Sequence, residues 1–118
     1  MNITNYVMSD VRKFLNLGDD SNVFDGEIIP FVMSAIGKLA QNGVGQPSII
    51  DSETTWVDVI TPEVIVNQQV FALFPVYVML SVKIFFDPPP PSTLPYYQSL
   101  LDDNLWRLRL AYEIKGSE

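Results

Sequence analysis

"VFALFPVYVMLSVKIFF", residues 70–86, is apolar apart from Pro75, Ser81 and Lys83, and how it is read decides the fold. A helix that crosses a bilayer needs about 20 predominantly apolar residues. This run is shorter, carries a proline near its middle and a lysine in its last turn, so it makes a marginal span and a good buried helix. A helix that is apolar on every side belongs in the middle of a bundle or at a subunit boundary. Thr61-Pro62-Glu63 offers a capping hydroxyl and a proline at the first helical position, which predicts a start there or near Asn67, a bend at Pro75 and an end at Phe86.

On the C-terminal side the run meets "DPPPPST", residues 87–93. Asp87 can cap the helix or open a turn, Pro88, Pro89, Pro90 and Pro91 favour extended polyproline geometry, and Ser92 or Thr93 can cap the next helix. The expectation is a stiff spacer that holds the last helix at a set angle to the central one, where a glycine linker would let it swing. A ligand for an aromatic groove of the SH3 kind is the other use of such a run, but here it is locked between two apolar helices. The last helix is predicted over about Leu94 to Ile114, with Leu94, Leu101, Leu105, Leu108 and Tyr112 on one face. Asp102 and Asp103 come early and Arg107 and Arg109 late, as the helix dipole prefers, and Asp103 with Arg107 forms an i,i+4 pair.

On the N-terminal side the pattern is also helical. Ile3, Val7, Val11, Phe14 and Leu15 recur at helical spacing, and Gly18 stands where a C-terminal glycine belongs. After the polar break "GDDSN", Phe24, Ile28, Val32, Ala35, Ile36, Leu39 and Ala40 form a second stripe that stops at Gly43. This helix should begin near Asn22 or Val23, with a kink at Pro30 or a true start near Ile29, because Pro30 removes a ladder bond and crowds the carbonyl of Gly26. From Gly43 to Asp58 no helical period appears, which predicts a long loop with a short strand over Ser48 to Ile50. Loops of that length are usually either functional or disordered, and Trp56 implies a return onto the body or onto a partner. The fold class is therefore all-α: one domain, a small bundle of about four helices, one long loop and the proline spacer.

Composition removes most chemistry. The chain has 118 residues with neither cysteine nor histidine, which excludes disulfides, thiolate metal sites and cysteine nucleophiles, and the commonest proton shuttle and metal ligand. The carboxylate pairs Asp19-Asp20 and Asp102-Asp103 are sequence neighbours, which on a helix do not face each other, so they make a poor acid-base pair. "GVG", residues 43–45, runs into Gln-Pro instead of a helix, so it reads as a turn and not as a phosphate loop. No catalytic residue, cofactor or metal is expected. Fourteen acids against seven bases, with no basic run longer than Arg12-Lys13, argue against free-standing nucleic-acid binding. The first residues lack a signal core, so a cytoplasmic origin and no membrane are the expectations.

What remains are candidate partner surfaces. Apolar residues are 47% of the chain, high for a soluble domain of this size, so part of that surface should meet another chain. "WRLRLAY" places aromatics and arginines together on a terminal helix, residue types enriched at interface hot spots. Trp106, Arg107, Arg109, Leu110, Tyr112 and Ile114 are thus candidates for a partner interface, against the plainer reading of intramolecular packing with solvated arginines. The loop residues Gly43, Val44, Gly45, Gln46, Pro47, Ile49, Ile50 and Trp56 form a second candidate surface.

Five short motifs occur in order: Phe24-Asp25, Gly43 to Gly45, Thr55-Trp56, Phe86 to Pro89, and Leu105 to Leu108. Together, over about residues 20 to 113, they resemble the small head-to-tail connector (head completion or adaptor) proteins of long-tailed double-stranded DNA phages. Pro30, the doubled proline pair and Asn104, where an acid is common, depart from the pattern. The resemblance implies a non-enzymatic subunit of a homo-oligomeric ring, roughly dodecameric, in the virion at the head–tail interface. It implies docking of that ring on the phage portal protein after packaging, by way of the terminal helix, and a platform for a stopper or tail-completion protein. The loop would line the channel or meet the next ring, and DNA would pass an acidic channel without specific binding. The alternatives are a small acidic helical binding or regulatory module and, from residues 70–86, a membrane-associated protein.

Overall fold

The apolar run forms the middle of the molecule. A computed structural model describes residues 5–17, 22–45, 49–60 and 69–116, and among them are five helices: α1 (Val7–Phe14), α2 (Asp25–Gln41), α3 (Trp56–Val59), α4 (Gln69–Phe86) and α5 (Leu94–Gly116). The principal helix contacts are α2 with α4, α5 with α4, and α1 with α4, so α4 is covered from several sides. Phe74, Tyr77, Val78, Met79 and Val82 are buried there together with Ile28, Val32, Ile36 and Leu39 of α2. No helix among the described residues is long and apolar enough to cross a membrane. The proposed entry at Thr61-Pro62-Glu63 lies outside the described residues. Pro75 stands inside α4.

The helix ends follow from their capping chemistry. α1 is shorter than its periodicity predicts, because Asn16 already takes the left-handed conformation, φ 62°, that was expected of Gly18. Asn16 N–H donates to Lys13 and Leu17 N–H to Arg12, at 3.0 and 2.9 Å, the paired bonds of a Schellman motif with asparagine in the glycine position. α2 closes in the same way: Gly43, φ 81°, donates to Ala40, and Val44 donates to Leu39. Val44 and Leu39 are both fully buried, supplying the apolar contact that often accompanies this cap. At its other end α2 begins at Asp25 and runs on through Pro30, with neither a restart near Ile29 nor an interruption. Pro30 and Gly26 are both exposed, so the carbonyl that loses its partner lies on the solvent side, where water can satisfy it.

The long loop is more structured than its sequence suggests. Residues 56–59 form one turn of helix, where irregular chain was expected. Asp58 accepts the Thr55 N–H at 2.9 Å, one half of a capping box. Ile49 and Ile50 are irregular, and Ser48 lies outside the described residues. The extended pairing that does occur is an isolated antiparallel bridge between Tyr6 and Thr55, with Val7 N–H donating to Thr54 and Trp56 N–H to Asn5. The segment thereby straps the entrance of α1.

The spacer also differs from a uniform polyproline rod. Asp87 N–H donates to Lys83, and its carboxylate pairs with Lys83 Nζ at 3.3 Å, which closes α4. Residues 88–90 continue without regular structure and 91–93 form a turn. In that turn the Pro90 carbonyl accepts from the backbone of Thr93 and Leu94 and from Thr93 Oγ1. Pro91 thus takes the second position of a turn, where its preset φ is favoured, and the extended part stops one proline early. Pro95 falls in the first turn of α5, where a missing N–H costs no ladder bond.

Candidate functional site

The two candidate surfaces have opposite fates. Trp56 is fully buried: its Nε1 donates to Asp10 Oδ2 at 2.8 Å, and its ring meets Phe74 of α4 edge-on at 6.4 Å between centroids. Asn5 also donates to Asp10, at 3.4 Å, so this nearly buried carboxylate is held by two donors, as a buried charge requires. Gly45, φ 70°, lets the chain come in underneath. A Cβ there would lie 2.7 Å from the Val59 carbonyl and 2.9 Å from Phe74 Cε2, so only glycine fits the close approach. The Gly-Val-Gly run is a turn that seats the strap on α4.

This corrects the loop surface. Val44 and Ile50, expected to face a partner or a channel, point into the core at 0% and 4% exposure, and Trp56, counted with that surface, makes instead the return onto the body that was its other expectation, at 0%, because the strap closes over Phe74. Gly43 and Ile49 remain exposed, Gly45 is half-buried, and Gln46 and Pro47 lie outside the described residues. The solvent side of the strap carries Ile49, Asp51, Glu53, Val57 and Asp58, all exposed. Asp51 accepts the Glu53 N–H at 2.8 Å and the Thr54 hydroxyl at 3.0 Å. The Glu53 N–H first and then Thr54 hold its carboxyl below the usual carboxylate range. A depressed folded value means that this contribution to the strap is present above the unfolded-state value and is lost as pH falls through the folded one.

The terminal helix keeps its residues outside. Leu108 is fully buried and Asn104 nearly so, while Trp106 is 62% and Leu110 41% exposed, and Arg107 and Arg109 are exposed. At about 100° per residue, Trp106 lies some 200° around the helix from Leu108, on the face turned away from α4. The neutral amide of Asn104 suits its position, since an acid there would bring a charge into the seam. Arg107 Nε pairs with Asp103 Oδ2 at 3.1 Å, both half-exposed. The side chains of Tyr112 and Ile114 lie outside the described residues.

Between α2, α4 and α5 runs an open groove of about 400 Å3, with Lys38 on one wall, Asp102 on the other, and Tyr77, Ser81 and Phe85 along its floor. Burial first, and then Asp102, push the Tyr77 hydroxyl above its ordinary pKa. Ser81 Oγ donates to the Tyr77 carbonyl at 2.8 Å, which occupies the hydroxyl. Among the described residues no group of histidine, cysteine or acidic side chains could hold a metal ion.

Among the described residues the structure thus presents an exposed indole and leucine on α5 beside a core closed by its own strap. No curated protein and no solved structure matches the chain, but a family model described as phage connector protein matches residues 7–115. That is nearly the whole chain, from the first turn of α1 to the last of α5, and the protein belongs to the phage connector protein family, with a structural role in the phage particle.

Proposed function

We propose that this chain is a non-enzymatic subunit of a ring in the virion, roughly dodecameric, at the junction of head and tail. The ring docks on the portal after DNA packaging and forms the platform for a stopper or tail-completion protein. The carrying observation is the make-up of α5. Among its described side chains it buries Leu108 fully, packs Leu101 and Leu105 partly buried against the core, and exposes Trp106 and Leu110. A helix seated on its own domain by one face and carrying an exposed indole on another is suited to receive a partner on that second face. The spacer supports this reading, since a proline-rich connection fixes the direction in which α5 projects toward the portal. Net charge supports the channel: at −7 the chain repels a polyanion in transit.

The test is electron microscopy of lysates from the phage or prophage strain lacking this gene. Tailless heads beside free tails, with heads that have lost their DNA, are the expected result. Intact virions in normal number would refute a head-completion role and leave the small binding module as the working reading.

A further inference from the structure

The groove between α2, α4 and α5 holds a buried polar group that the fold leaves without a partner. Tyr77 lines it at 2% exposure, and the charge of Asp102, also in the lining, acts on its hydroxyl, so the phenol end is the one turned to the groove. Among the described residues that hydroxyl makes no hydrogen bond. Buried hydroxyls nearly always have a partner, in the protein or in something bound to it. The charges around it are unpaired as well. Lys38 stands on the α2 wall and Asp102 on the α5 wall, and neither forms an ion pair, with the other or with any described residue. A free anion would gain Lys38 but meet Asp102, and a free cation the reverse, so one charge of each sign favours neither ion. A neutral group with an acceptor on one side and a donor on the other suits both walls. The peptide unit of an extended chain is such a group, because its C=O and N–H point to opposite sides of the strand.

The apolar lining suits the side chain that such a segment brings. Ala35, Ile84, Phe85 and Leu101 complete the groove. The apolar surface does not stop there: Phe85, 63% exposed, stacks on Phe31 of α2 at 5.6 Å between ring centroids, so an aromatic shelf carries on from the groove over the surface. A site for a small molecule encloses most of its ligand. An open groove with an exposed aromatic shelf beside it suits a chain that continues past it.

We propose that this groove binds an extended apolar segment of a partner protein, with peptide carbonyls accepting from Lys38 and the Tyr77 hydroxyl, a peptide N–H donating to Asp102, and an apolar side chain packed on Phe85 and Phe31. Burial and the nearby carboxylate keep the Tyr77 hydroxyl protonated, and so a donor. The backbone contacts fix the direction of the segment, and the aromatic shelf supplies apolar contact area. The proposal does not rest on the ring reading, because the groove is complete within one copy of the chain.

The test is an NMR titration of the isotope-labelled full chain with N-acetyl-leucine methylamide and with the blocked pentapeptide acetyl-Gly-Ala-Leu-Phe-Gly-amide. Both should move the backbone amide signals of residues 34–38, 77–85 and 98–102 saturably, the pentapeptide with the lower Kd, while sodium acetate and methylammonium chloride at the same concentrations leave them in place. Tyr77→Phe should raise the pentapeptide Kd about fivefold without lowering the denaturation midpoint, since the hydroxyl makes no bond among the described residues. Equal Kd values for the two amides would make this a site for a small neutral molecule and overturn the peptide occupant. Either ion binding as tightly as the amides would overturn the balance of charge on which the choice of ligand rests. An unchanged Kd in Tyr77→Phe, or a lowered midpoint, would take the hydroxyl out of the site and overturn the assignment. No saturable shift with either amide would mean that water alone satisfies Tyr77, and would overturn the proposal while the ring reading stands.

Discussion

The chain has two tryptophans, and they do opposite work. Trp56 sits in irregular chain and is fully buried, with its indole N–H on Asp10 and its ring on Phe74. Trp106 sits in a long regular helix and is largely exposed. The buried one closes the domain on itself, and the exposed one stands on the face that the proposed function gives to another chain. Residue type marked both as important; position relative to α4 decides what each is for. On that reading folding and assembly are carried by separate residues, which mutation can pull apart.

The largest effect expected is Trp56→Ala. It empties a fully buried site and leaves the Asp10 carboxylate without its closest donor, and should cost about 3–5 kcal/mol, read as a lowered denaturation midpoint. Trp106→Ala should leave that midpoint within about 0.5 kcal/mol of the parent while lowering assembly. Equal loss of stability in both variants would abolish the distinction between the two tryptophans.

Next comes Gly45→Ala, which sharpens the claim that the strap is seated by a close approach. The left-handed backbone alone should cost about 1–3 kcal/mol in a residue other than glycine, and the new methyl meets a backbone carbonyl and an aromatic edge that cannot both yield. Gly43→Ala has the same sign of φ but open space around it, so it should cost less. Equal midpoints for the two variants would show that backbone conformation alone matters at both positions.

How much of this was legible depends on whether a segment has a period. α5 and the end of α2 at Gly43 could be read because the apolar stripe and the caps agree, and the burial of α4 followed from its apolar surroundings and short length. α1 ended early because asparagine can take glycine's place in a cap, which spacing does not reveal. The strap could not be assigned faces at all. Residues 43–58 have neither a two-residue nor a 3.6-residue repeat, so nothing in their order says that Val44, Ile50 and Trp56 turn inward while Ile49 and Val57 turn outward. That division is imposed by Gly45 meeting Phe74, a contact between residues far apart in sequence. The one turn of α3 is too short to show periodicity, although Thr55 and Asp58 stand at capping-box spacing and carried the signal.

The spacer offers an intermediate case, because its effect should divide unequally between folding and docking. Replacing Pro89, Pro90 and Pro91 by glycine enlarges the unfolded ensemble by about 0.4–1 kcal/mol per site. It also removes the fixed direction of α5. Binding to purified portal should then fall by a larger factor than the folding constant. Unchanged docking would mean that contacts between α5 and α4 alone aim the helix.

The smallest effect separates two kinds of exposed residue on one helix. Asp103 and Arg107 form a half-exposed i,i+4 pair, and Asp103→Ala should cost about 0.2–0.5 kcal/mol of stability, fading as salt rises. Trp106 lies between the two in the chain, three positions after Asp103, and its loss should leave stability within about 0.5 kcal/mol of the parent while governing association. If Asp103→Ala impaired association as strongly as Trp106→Ala, the partner would be reading charge along the whole outer face, and the contact would not be centred on the indole. If it changed only the small salt-sensitive increment, the aromatic centre of the interface would stand apart from the solvated pair beside it.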